Sequence, residues 1–122
     1  MSTFQAAKEA LITSLESGTH EFKQTLAFID EWFDFSATGF LNGPIRNERS
    51  ENQGSCKVLA LAELLNLSHQ QMLYCFGEHY RDVVATPGVE NHFNLRHLLS
   101  VDNTATQFDQ FPLHPKADIS ND

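Results

Sequence analysis

The sequence predicts a mostly α, single compact domain of about five helices, with one long irregular loop and a short C-terminal strand or strap. Three observations carry that expectation. Apolar residues recur at spacings of three and four along most of the chain up to Leu99. One stretch, DFSATGFLNGPIRNERSENQGS, breaks the rhythm with Gly39, Gly43, Pro44 and Gly54. Weak alternation of period two appears only late, in TQFDQFPLH.

The first helix is expected over residues 3–17, where Phe4, Ala7, Leu11 and Leu15 form one apolar stripe. Ser2 with Gln5 resembles a capping box, and Gly18 is a stop signal. Thr19 is placed to cap a second helix, with Phe22, Leu26, Ile29 and Phe33 facing inward and Trp32 at the edge of the stripe. Then follow about twenty residues without regular periodicity, a length that is uncommon inside a compact domain and often functional. The alternative is irregular structure pinned to the core by Phe35, Phe40, Leu41 and Ile45. The third helix runs from about Cys56 to Leu65 with only Lys57 and Glu63 charged, the pattern of a central, buried helix. Ser68 and Gln71 form a capping box for the fourth, and Leu67 is positioned to staple against Met72. Its inward stripe is Met72, Phe76 and Tyr80. Gly77 inside that helix costs about 1 kcal/mol against Ala, so a close contact is expected there. Pro87 forces Thr86 out of helical geometry. Asn91 then caps a fifth helix ending near Leu99, with Leu95, Leu98 and Leu99 inward. The domain is expected over residues 1–113, and residues 114–122 are read as a loose polar tail.

Composition excludes several function classes. The chain of 122 residues has eight basic and sixteen acidic side chains, for a formal charge of -8. That balance disfavours nucleic acid and anionic membrane surfaces, both of which are bound through Lys and Arg. The apolar fraction of 41% and ten phenylalanines supply a core and argue against disorder. The N-terminal residues do not have the pattern of a secretory signal, and no window reaches the length of a membrane span. The two cysteines, Cys56 and Cys75, are read as reduced, in a chain made in the cytoplasm.

The sharpest chemical question is Cys56. Gly54 and Ser55 place it in the first turn of a helix, where partial positive charge and free N–H groups lower a thiol pKa, and Lys57 would add to that. A thiol-dependent hydrolase or transferase would then use His92 or His79 as base and Asn94 as orienter. The alternative is that Cys56 is simply the first buried residue of the helix. The same helix start resembles a generic anion nest. If Lys57, Arg81 and Arg96 converged on it, a small anionic ligand would fit, whereas placement on separate faces would remove that version. Six histidines invite a metal, but no pair has the i, i+4 spacing of HExxH, His92 and His97 at i, i+5 point to different faces of a helix, and Cys56 and Cys75 form no CxxC, so no metal or cofactor is expected.

Taken together, ENQGSCKVLALAELLNLS and LYCFGEHYRDVVATPGVENHFNLRHLL resemble the HopJ type III effector family of bacterial proteins. The residues that carry the resemblance are Phe40, Asn42 and Gly43, then Glu51, Asn52 and Gly54 to Lys57. In the second half they are Phe76, Gly77, Tyr80, Arg81, Pro87, Gly88, His92, Asn94 and Arg96. The chain departs from the family pattern at Ser50, at His79, and in SVDNTATQF where a glycine-tryptophan pair would be expected. The resemblance implies secretion by a type III system in some relatives and no established activity. It groups Asn52, Lys57, Tyr80, Arg81, His92, Asn94 and Arg96 as the expected ligand-binding residues beside Cys56. The competing explanation is that these polar groups satisfy the backbone of the long loop. The function expected on this basis is a non-enzymatic binding or interaction protein, with a small anionic ligand or a protein as partner.

Overall fold

The computed structural model describes residues 3–116. Within them six helices and five three-residue strands form a mixed α/β domain, more varied than the mostly helical expectation. Helix α1 spans Phe4–Leu15 and buries Leu11 and Leu15. Its cap is Thr3, whose hydroxyl accepts from Ala6 N–H at 3.1 Å; Ser2, expected in that role, lies outside the described residues. Helix α2, Phe22–Trp32, buries Thr25, Phe28 and Ile29. It starts two residues later than the Thr19 cap predicts. Glu21 is the cap residue, and its N–H donates to the Gln24 side chain at 2.8 Å.

The stretch expected as an irregular loop holds β1 (Phe33–Phe35), β2 (Phe40–Asn42) and β3 (Ile45–Asn47). Strands β2 and β3 form a hairpin turning on Gly43-Pro44. Gly43 has φ +57 and the proline ring holds φ near -65° after it, the combination of a type II′ turn. The C-terminal strap is β4 (Thr106–Phe108) and β5 (Leu113–Pro115). Strand β4 pairs antiparallel with β2, giving sheet order β3-β2-β4, and β5 pairs antiparallel with β1, Phe33 opposite Pro115. Residues 114–116, expected in a loose tail, are therefore tied down: Lys116 N–H donates to Trp32 O at 3.0 Å.

Helix α3 (Gln53–Leu65) is the central element, burying Cys56, Val58, Leu59, Ala60, Leu61 and Leu65. Its apolar surface on nearly every side is matched by neighbours on nearly every side, as the sequence predicts. The fourth predicted helix is two. Helix α4 (His69–Tyr74), capped by the Ser68–Gln71 box, ends before Gly77, and α5 (Glu78–Ala85) starts after it. Gly77 has φ +58, and a Cβ there would strike the backbone of Glu21 and Phe22. The close contact expected at this glycine exists, and it breaks the helix. Helix α6 (Phe93–Leu99) follows, entered through His92 rather than Asn91.

Candidate functional site

Helix α3 opens at Gln53, and Cys56 N–H donates to Asn52 O at 3.1 Å, so the thiol does stand in the first turn. It points inward and is 0% exposed. Burial pushes the Cys56 thiol up to about 12, against a smaller downward pull from Lys57. Desolvation disfavours the thiolate more than the helix start and one cation favour it. Cys56 is a core residue of α3, the second of the two readings the sequence leaves open for it. The Lys57 ammonium instead sits 4.7 Å above the Phe35 ring.

The predicted cations do not converge. Arg81 donates from Nη1 to His20 O at 2.9 Å, fastening α5 to the α1–α2 turn. Arg96 clamps the α5–α6 connection, donating to Asn91 O at 2.6 Å and to Thr86 O at 2.8 Å. Tyr80 accepts from the Gln70 side chain at 3.1 Å and meets the edge of Tyr74. Lys57, Tyr80, Arg81 and Arg96 thus serve separate structural contacts. The three-cation anion site is not formed.

What does converge is a cleft of about 280 Å³ at the start of α3. Asn52, Gly54 and Ser55 line it from α3, and Phe76 and His79 from the α4–α5 break. His92, Phe93, Asn94 and Leu95 line it from the start of α6, and Phe22 from α2. Of the predicted residues, Asn52, His79, His92 and Asn94 are brought together here. The local causes are legible. Gly77 lets α5 approach the start of α2, where Glu78 accepts from Phe22 N–H at 2.7 Å. Gly54 leaves room for the Phe22 ring, 3.1 Å from where a Cβ would stand. Asn52 and His92 enter their helices at φ 51 and φ 50, left-handed conformations rare outside glycine. Neither side chain caps its own helix.

The cleft is ringed by aromatics. Phe22 and Phe76 lie parallel with centroids 6.3 Å apart, His79 meets Phe22 edge-on at 5.1 Å, and His92 lies 5.1 Å from His79. Phe93 at the rim is 53% exposed. Among the described residues, no Asp, Glu, Lys or Arg lines it. Among the described residues, neither imidazole of His79 or His92 makes a hydrogen bond, and the Ser55 hydroxyl and the N–H groups of Gly54 and Ser55 have none either.

Its floor is fixed by buried asparagines. Asn94 accepts at Oδ1 from Asn42 at 3.1 Å and from Asn47 at 3.2 Å, and donates to Asn47 Oδ1 at 2.9 Å. Asn52 donates to the same Asn47 oxygen at 2.8 Å. Asn52 and Asn94 therefore do the scaffolding work of holding the β2–β3 hairpin. A second, larger groove of about 680 Å³ runs between β4 and the α3–α4 turn, past Leu41, His69, Met72, Thr104 and Thr106. Sequence reasoning missed it, because it depends on the β2–β4 pairing, which brings together residues far apart in the chain.

Among the described residues, no group of three or more His, Cys, Asp or Glu is placed to hold a metal ion, and no helix is long and apolar enough to cross a membrane. A family model described as HopJ type III effector protein matches residues 8–113. A crystal structure of a protein of unknown function, VPA0580, is 34% identical and superposes with a TM-score of 0.82, covering 89% of this chain and 92% of its own. No curated protein matches the chain.

Proposed function

The chain belongs to the HopJ type III effector family, and we propose that it acts as a non-enzymatic binding protein whose ligand sits in the cleft at the start of α3. One observation carries this reading: residues from α2, α3, the α4–α5 break and α6 meet around that cleft with hydrogen-bonding groups left unused. The ligand is held by hydrogen bonds and ring contacts rather than by fixed cations, since Lys57, Arg81 and Arg96 are committed elsewhere. The thiol-enzyme alternative finds its sulfur sealed in the core. The same reading keeps this chain in the cytoplasm where it is made, with type III export a property of relatives.

The test is amide chemical-shift mapping with small amides, alcohols and carboxylates at millimolar concentration. The expected result is perturbation of Gly54, Ser55 and Phe93. Perturbation confined to Thr104 and Thr106 in the larger groove, or none at all, would overturn the reading. Iodoacetamide separates the alternative. Cys56, in a Cys75→Ser background, should react only as fast as the protein unfolds. Rapid native-state reaction with a midpoint below about pH 7 would restore the thiol enzyme.

A further inference from the structure

Resting on the cleft reading above, we infer that the ligand is a small, uncharged, planar aromatic molecule with a hydrogen-bonding edge, such as an aromatic amide or a nitrogen heterocycle. Two independent features of the lining point to this class.

The first is the ring content. Phe22, Phe76, His79, His92 and Phe93 present aromatic surface to a space of about 280 Å³. Ring pairs prefer offset or edge-on contact, and the cleft already shows both: Phe22 lies parallel to Phe76 and edge-on to His79. A flat guest gains ring contact at several walls, which a tetrahedral or branched guest of equal volume does not. Phe93, largely exposed at the rim, would lose solvent contact when a ring lies against it.

The second is the charge. On a chain with sixteen acidic and eight basic residues, none of the Asp, Glu, Lys or Arg side chains among the described residues lines the cleft. What remains are groups without a fixed charge: Ser55, the Gly54 and Ser55 N–H groups, the unused oxygen of Asn52, and the imidazoles of His79 and His92. A charged guest would lose its hydration here without meeting a counter-charge from Lys, Arg, Asp or Glu. A neutral edge that both donates and accepts would satisfy groups that are otherwise unpaired.

Three probes separate the parts of this inference, each titrated against the full chain and followed at Gly54, Ser55 and Phe93. Nicotinamide carries the ring and the neutral edge, cyclohexanecarboxamide the edge alone, and nicotinate the ring with a charge. Nicotinamide should bind about five- to tenfold tighter than cyclohexanecarboxamide, the size of a ring-contact preference. It should bind about tenfold tighter than nicotinate. Phe93→Leu keeps the apolar bulk at an exposed position and should weaken nicotinamide more than cyclohexanecarboxamide, narrowing the difference between the two. Equal binding of the two amides would overturn the aromatic class while the cleft reading stands. Tighter binding of nicotinate would overturn the uncharged class. If none of the three perturbs the cleft while another small amide, alcohol or carboxylate does, the inference fails alone; if nothing does, both fail.

Discussion

His20 sits in a hydrogen-bonded chain whose proton positions are set from its far end. The Thr25 hydroxyl gives its one proton to Cys75 O at 2.8 Å, so it must accept from His20 Nε2 at 2.7 Å. Nε2 therefore carries a proton, and in the neutral ring Nδ1 accepts from the Ser14 hydroxyl at 2.7 Å. Burial, helped by Arg81 and opposed by Glu78, holds its pKa below the ordinary 6.5. A lowered histidine pKa means the folded state binds fewer protons than the unfolded chain. This contribution is full above about pH 6.5 and is lost as pH falls below it. The carboxylates with lowered pKa, Glu78 and Asp109, start from 4.5 and 3.8 and act at lower pH. Urea midpoints should therefore fall between pH 7.5 and pH 5.5, and His20→Gln should flatten that decline. An unchanged slope in the variant would assign the effect elsewhere. At the same scale, Cys56 shows where sequence reading stops. Its position in the first turn was legible, but α3 is apolar on nearly every side, so no stripe tells which way one residue points.

Helix boundaries were legible wherever a cap used ordinary chemistry, as at Ser68. They were not where backbone conformation decides. Gly77 reads as a costly residue inside one helix, yet φ +58 with ψ -124 ends α4 and opens α5. Gly77→Ala would force a side chain into a conformation it rarely adopts and into the backbone of α2. The expected loss is about 2 kcal/mol or more in chemical denaturation, with altered amide shifts at Phe22 and His79 because that contact shapes the cleft. A change below about 0.5 kcal/mol would mean that the glycine is not needed for the close approach. The three strands of the expected loop escaped notice for another reason. Three residues are too few to show a period of two, and β2 owes its place to partners on both sides, one of them β4 far along the chain.

At the scale of the whole molecule, three regions that carry the family resemblance, the β2–β3 hairpin and the starts of α3 and α6, are joined by side-chain amides. Asn47 Oδ1 receives both Asn52 and Asn94. Asn47→Ala would strand the buried Asn94 donor and release the exposed Asn52 side chain, and should cost about 1–2 kcal/mol, with the shift changes concentrated at Asn52, His92 and Asn94. Wild-type stability in the variant would show that water replaces the lost oxygen without penalty. The gathering of Asn52, His92 and Asn94 into one place was legible from the motifs, whereas His79 stands where the chain departs from the family pattern; the exclusion of the cations was not legible, because each is taken up by carbonyls or a ring that only the folded chain presents. The pairing of Phe33 with Pro115 carries one more consequence, for the order of events in synthesis. Strand β1 leaves the ribosome well before its partner β5. Closing so long a loop is slow compared with forming helices. Until β5 has emerged, the nascent chain therefore carries an unmatched strand beside α2. That interval is the window in which a chaperone would find it still open.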